Sequence, residues 1–208
     1  VIKFSKNIDD ILSLKKDLIK NNKINLKNTL KINKKFNKLK FRKKCIICKF
    51  TLRNIDFISH NIPYAICRKC GHLNGMRIMN NKFNESIYSS NKGKNFSSIY
   101  KKNYMERVNK IYFPKVEFLK KVLKKKIKIL DFGCGAGHFV KSCENLGIKA
   151  MGIDPNQDLI NKGNKYLKKN IIKKLTFNES IDEITFTSAD VISLIFVLEH
   201  LEDPSKIF

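Results

Sequence analysis

Two sets of residues in this chain have types and spacings that can do chemistry. The first is Asp131, followed at every second position by Gly133, Gly135 and Gly137, with Asp154 seventeen positions after the last glycine. Glycine has no Cβ, so a turn built from it lets a ligand approach the backbone closely. A carboxylate at the end of the next strand is placed to accept hydrogen bonds from ribose hydroxyls. The spacing is not that of a dinucleotide turn, which reads G-x-G-x-x-G and holds a pyrophosphate. An acid directly ahead of the glycines repels phosphate and suits a cationic ligand. The second set is Cys45, Cys48, Cys67 and Cys70, in the pattern C-x2-C, eighteen residues, C-x2-C. That spacing fits a four-thiolate zinc site, closed and therefore structural. A redox dithiol would leave one of the two pairs without a role. His60 and His72 lie nearby and are expected to be bystanders.

The elements that must position these groups follow from the pattern. Lys128–Leu130 reads as the end of a buried strand, and Phe139-Val140 open a helix that stops at Gly147. Lys149–Ile153 reads as a second strand that delivers Asp154. A helix follows Pro155, with Leu159, Ile160, Tyr166 and Leu167 on its buried face. Lys174–Phe177 is expected as a third strand, and Asp190–Leu198 as a fourth, buried on both faces because its apolar run is continuous. Glu199 and His200 then lie at a carboxyl strand end, where open α/β sheets hold ligands. Upstream, Lys110 through Lys126 predicts a helix with Pro114 in its first turn. The eighteen residues between the cysteine pairs predict a hairpin, and Asp203-Pro204 predicts one more helix start.

The run Asp131-Phe132-Gly133-Cys134-Gly135-Ala136-Gly137, with Asp154 and the segment Ala189–Pro204, resembles class I S-adenosylmethionine-dependent methyltransferases. The resemblance implies an α/β, Rossmann-like sheet of which the first four strands are present, preceded by a zinc-knuckle module and a helical lead. It implies that Gly133, Cys134 and Gly135 line the methionine part of the cofactor and that Gly137 lets helix and strand pack. Asp131 is expected near the amino group and Asp154 on the ribose. Glu199 is expected to line the cofactor, and Asn178 or Glu179 to sit near the adenine. His200 is the candidate general base, since imidazole accepts a proton near neutral pH. Cys134 is expected as a small filler and Cys143 as helix packing. The cysteine quartet, the segment Cys70-Gly71-His72-Leu73-Asn74 and the order of modules are similar to bacterial methyltransferases of sugars and cell-surface glycans. That implies a small, sugar-type acceptor. An RNA methyltransferase using the zinc module and a lysine-rich surface is the alternative, as is a non-catalytic zinc-knuckle adaptor. A complete family sheet would need about three more strands, so the chain is expected to be truncated after Phe208 and inactive as a fragment.

Composition sets the remaining bounds. The chain has 208 residues, 42% of them hydrophobic, with a net charge of +25. Only five of its 43 basic residues are arginine, the better fork for phosphate and base edges. The lysine excess accompanies an excess of Asn and Ile, as in a low-GC coding background; a basic surface for RNA or an anionic substrate is the alternative. The organisation expected is a basic helical lead at 1–44, where fifteen basic residues face three acids and Ile8–Ile19 predicts one amphipathic helix. A zinc module at 45–75, a connecting segment at 76–110 and the methyltransferase domain at 111–208 follow. Tyr88, Phe96, Tyr100, Tyr104, Tyr112 and Phe113 are expected to pin the connection onto a core. The longest apolar run, Val191–Leu198, is too short to span a bilayer. No signal peptide is visible, so a cytoplasmic location with reduced thiols is expected.

Overall fold

The computed structural model of the protein describes residues 8–14, 18–80, 83, 103–167, 171–175, 189–201, 203 and 204. The chain divides into two compact units. The larger comprises Val1–Lys16 and Asn95–His200, the smaller Asp17–Lys94 and Leu201–Phe208.

In chain order, α1 (Ile8–Leu14) belongs to the larger unit and α2 (Leu18–Phe36) to the smaller. Of the helix expected over Ile8–Ile19, Ile8–Leu14 and Leu18 onward are helical, and Lys15–Asp17 fall outside the described residues. The smaller unit continues with β1 (Phe57–Ser59), β2 (Ile62–Ile66) and β3 (Leu73–Gly75), an antiparallel sheet in the order β1-β2-β3. The hairpin expected between the cysteine pairs is β1–β2. His60 and Asn61 form its two-residue turn at φ 50° and 67°, the left-handed pair of a type I′ turn. The buried apolar set here is small, chiefly Ile62, Ala65 and Met76 beside the cysteines.

The larger unit resumes with α3 (Tyr104–Arg107), a π-helical turn (Val108–Tyr112) and α4 (Phe113–Leu123). Pro114 has no N–H to give, and the Phe113 amide bonds the Val108 carbonyl five residues back, which widens the helix there. Lys124 turns left-handed at φ 47° and ends α4, so Lys120 and Lys121 lie in its last turn while Lys125 and Lys126 lie beyond it. Next come β4 (Lys128–Phe132), α5 (His138–Asn145), β5 (Lys149–Asp154), α6 (Gln157–Leu167), β6 (Ile172–Lys174) and β7 (Val191–Ser193). All pairings are parallel and the order is β6-β5-β4-β7. This is the α/β Rossmann-like sheet that the glycine turn and its flanking strands led us to expect. One core forms from Tyr112, Val116, Ile127, Ile129, Phe139 and Cys143. A second forms from Cys134, Val140, Ile160, Leu167 and Ile172.

Two strands differ from expectation. The third lies at Ile172–Lys174, not Lys174–Phe177; Thr176, Phe177, Asn178 and Glu179 fall outside the described residues. The fourth spans only Val191–Ser193. Ile195–Val197 form a turn in which Phe196 sits at φ 58° and 66% exposed, so the apolar run bends away from the sheet. Ile192 is 39% exposed, and burial on both faces is not met, because β7 pairs with β4 alone among the described strands. Of the aromatics in the connecting segment, Tyr104 and Tyr112 are buried, while Tyr88, Phe96 and Tyr100 fall outside the described residues, as does the continuation of the chain after Pro204.

Candidate cofactor and metal sites

β4 is the first strand of the sheet in sequence and lies between β5 and β7, so the sheet's winding reverses beside it. In such sheets the crevice at the carboxyl ends next to that reversal is where ligands bind. The glycine turn leaves β4 at that end. It is tied to β5 rather than standing free. The Gly133 and Cys134 amides both donate to the Ile153 carbonyl, at 2.8 and 3.0 Å. The Gly135 amide donates to Asp154 Oδ2 at 2.8 Å, and the Asn156 amide to Asp154 Oδ1 at 2.8 Å. Each Asp154 oxygen keeps further lone pairs, so the carboxylate can still accept from a vicinal diol.

The glycines have different tasks. Gly135 sits at φ 56°, and a Cβ there would make only ordinary van der Waals contact, with Leu159 at 3.9 Å, so it is the left-handed backbone and not crowding that calls for glycine. A Cβ at Gly133 would come within 2.5 Å of Val197, and one at Gly137 within 2.4 Å of Ile172. Gly133 thus admits the turn after β7, and Gly137 admits β6. Cys134 is buried, its thiol is pushed well up by burial, and a Cβ on Gly152 would strike it at 2.6 Å. It fills space, as does Cys143.

Asp131 is 3% exposed and faces Ser193 in the β4–β7 register. The Ser193 hydroxyl donates to Asp131 Oδ1 at 2.5 Å. Burial pushes the Asp131 carboxyl up to about 7; the Ser193 bond opposes this and the nearby Asp154 charge adds to it. Burial also raises Asp154, against the two amide donors. A positive charge beside these two buried carboxyls would favour their ionised forms. Glu199 and His200 lie in a 3-10 turn (Leu198–His200) after β7, both exposed at the same sheet end. Ser193 was not anticipated, although a polar residue inside an apolar strand, in register with an acid, is the signal for it. Tyr104 anchors the turn from outside: it is 3% exposed and its hydroxyl donates to the Gly137 carbonyl at 3.2 Å.

In the smaller unit the four cysteines converge, with all Sγ atoms within 4.8 Å of one another. Cys45 and Cys70 Sγ are 3.7 Å apart, and Cys48 and Cys67 Sγ 3.4 Å. Four thiolates around zinc at ~2.3 Å would sit ~3.8 Å apart, so the quartet has the size of a zinc tetrahedron. The two knuckles repeat one backbone pattern. The Lys49 amide donates to the Cys45 carbonyl and the Gly71 amide to the Cys67 carbonyl. The Cys45 amide donates to Phe50 and the Cys67 amide to His72. Lys49 and Gly71 both take left-handed φ, 60° and 73°. Burial opposes ionisation of Cys45, but amides of Cys48 and Ile47, with Asn74 and Cys70, draw it down to about 6. Cys70, despite an amide donor at His72, is pushed up to about 12 by desolvation and its three thiol neighbours. Four such thiols cannot all ionise together unless a cation joins them. Asn74, 2% exposed and not anticipated, holds the set: its Nδ2 lies 3.6 Å from Cys45 Sγ and its Oδ1 accepts from the Ile46 amide at 2.9 Å. His60 lies in the hairpin turn with Nδ1 2.9 Å from Ser59 Oγ, and neither it nor His72 joins the cluster.

A family model described as a methyltransferase domain matches residues 104–208. No curated protein matches the chain. Among solved structures, the PH0226 protein from Pyrococcus horikoshii OT3 is 31% identical over 33% of this chain and 37% of its own, with a TM-score of 0.28. The plantazolicin methyltransferase BpumL, in complex with a pentazolic desmethylPZN analog and SAH, is 23% identical over 58% and 48%, with a TM-score of 0.41. A TehB-like SAM-dependent methyltransferase from Corynebacterium glutamicum ATCC 13032 is 24% identical over 48% and 54%, with a TM-score of 0.37. The chain spans about half, or less, of the length of these proteins.

Proposed function

The chain belongs to the family of methyltransferase domains, and from that premise we propose that it binds S-adenosylmethionine at the Gly133–Gly137 turn and transfers its methyl group to a small, sugar-type acceptor. The observation that carries the cofactor reading is the left-handed glycine turn whose Gly135 amide is held by the Asp154 carboxylate, at the sheet end where the winding reverses. S-adenosylmethionine supplies a methyl sulfonium that needs no further activation for direct displacement. The protein's part is then to bind, align and manage one proton. Asp154 accepts from the ribose hydroxyls, Gly133, Cys134 and Gly135 line the methionine portion, and Asp131 lies toward its ammonium group. Glu199 contributes to the cofactor wall. His200 takes the acceptor's proton as the methyl group arrives, a role needed only for a weakly acidic acceptor. Gly137, by contrast, serves packing against β6.

Zinc at Cys45, Cys48, Cys67 and Cys70 is part of the same reading. The thiol spacings fit it, and with four protein ligands it would be structural. The sugar-type acceptor rests on the likeness in module order between the cysteine quartet and the domain that follows it. A cytoplasmic location belongs to the same proposal, since a zinc-bound thiol quartet suits a reducing compartment. Among the described residues no helix is long and apolar enough to cross a membrane. An RNA acceptor is the second reading, favoured by the lysine distribution on α2.

The test is calorimetric titration of the chain with S-adenosylhomocysteine, followed by methyl transfer to a panel of nucleotide-linked sugars and RNA. Binding that is saturable and lost in Asp154→Ala is expected. Heat that is absent, or unchanged by the substitution, would remove the cofactor reading.

A further inference from the structure

One strongly charged surface has no part in the cofactor reading. α2 carries Lys23, Lys27, Lys31, Lys34 and Lys35, all exposed. At ~100° per residue, Lys23, Lys27, Lys31 and Lys34 fall within a sector of ~80° and run along ~16 Å of the helix. The chain has no acidic residue between Asp17 and Asp56. Among the described residues, the ion pairs involve other lysines. These lysines share the exposed side of α2, opposite the partly buried Ile32, Asn33 and Phe36.

The helix is also poorly supported. Lys23 and Lys27, Lys27 and Lys31, and Lys31 and Lys35 are like charges at i,i+4, which oppose helix formation. Residues Asn21 through Lys27 are all exposed, so this stretch gains little from packing. An anionic partner along the lysine sector would remove the repulsion. Of the apolar residues, Leu26 and Leu30 share one face about 40° apart, whereas Ile24 and Ile32 lie roughly 140° from it on either side, with Ile24 61% and Leu26 44% exposed. A helix that inserts into lipid gathers such residues on one face. α2 also has no exposed aromatic for base stacking, since its Phe36 packs on Phe83. Lysine, a point charge without arginine's fork, suits phosphate contact and not base readout.

We propose that the lysine sector of α2 binds the sugar–phosphate backbone of a nucleic acid without reading its sequence. Over ~16 Å a duplex presents about ten phosphates, counting both strands. Four or five are enough to match the lysines. The proposal does not rest on methyl transfer, since α2 and the glycine turn belong to different units.

The test is fluorescence anisotropy of the full chain with labelled single-stranded RNA, duplex RNA and duplex DNA of about twenty nucleotides, between 50 and 200 mM salt. A log–log slope of about −3 to −4 is expected, from ~0.7–0.9 per phosphate contact. Lys27→Ala/Lys31→Ala/Lys34→Ala should reduce the slope by about 2–3. Alanine favours helix, so the variant keeps α2. The charge-matched control, Lys120→Ala/Lys121→Ala/Lys126→Ala, should leave the slope unchanged. Equal losses in the two variants would overturn the proposal. So would binding confined to polyglutamate, or to vesicles of equal phosphatidylglycerol and phosphatidylcholine. S-adenosylhomocysteine titration of the α2 variant should match that of the unaltered chain, which separates failure here from failure of the cofactor reading.

Discussion

Asp131 and Ser193 face each other in register across β4 and β7, and the pair makes stability depend on pH. Burial holds the Asp131 carboxyl at about 7, against ~3.9 in an unfolded chain. The native state therefore retains a proton that the unfolded chain releases above pH ~4. Stability is full below that pH and falls as pH rises through about 7, by on the order of 3–4 kcal/mol at most, and then levels off. Melting temperatures measured from about pH 5 to pH 8 should fall for the unaltered chain and stay flatter for Asp131→Asn. Parallel curves would contradict the argument. Ser193→Ala removes the bond that favours the ionised form, so it should extend the fall to higher pH; Ser193→Thr, which keeps the hydroxyl, should not. Asp154 answers to a different measurement. Losing a charge-assisted acceptor costs about 1.5–3 kcal/mol, so Asp154→Asn should weaken S-adenosylhomocysteine about tenfold to a hundredfold. Both acids were legible in the chain because each adjoins an element boundary. Ser193 was not, because its partner is set by strand register.

At the scale of elements, the two cysteine knuckles show how one turn tolerates different residues. Gly71 takes φ 73° at no steric cost, whereas Lys49 takes φ 60° with a side chain. A side chain in that region costs about 1–2 kcal/mol. Lys49→Gly should therefore cost little and could stabilise the knuckle by up to about 1 kcal/mol, offset by greater freedom of the unfolded chain. Gly71→Lys should destabilise, as read from urea midpoints. Equal effects of the two changes would show that the turn is not the constraint. The strands teach the complementary lesson. β5 and Asp154 were legible because the polar and turn residues after Ile153 break an apolar run. β7 was overextended, since Ile195–Val197 are as apolar as the strand before them. Only the turn at Phe196, seated where Val197 can cover Gly133, ends it. That contact lies sixty-four positions apart in sequence, beyond any local pattern.

For the whole molecule, the small apolar core around Ile62, Ala65 and Met76 makes the smaller unit dependent on whatever joins the four thiols. With zinc, the apparent binding free energy of about 10–16 kcal/mol seen in zinc-finger peptides becomes folding free energy. One zinc per chain is expected by elemental analysis. Its removal by a strong chelator, or Cys48→Ser, should unfold the β1–β2–β3 sheet, as followed by amide exchange. The larger unit has its own two cores and should keep its exchange protection. Loss of protection in both units at once would show that they fold as one. The amino-acid sequence alone determined the Rossmann-like class, the glycine turn with its two acids and the cysteine quartet, because spacing and local periodicity write these directly into the chain. The tertiary structure alone decided that Ser193 meets Asp131, that Asp154 ties down Gly135, that Asn74 braces Cys45 and that Lys23, Lys27, Lys31, Lys34 and Lys35 are exposed. Those depend on which strands lie side by side and which surfaces stay exposed, and neither register nor burial is a property of neighbouring residues.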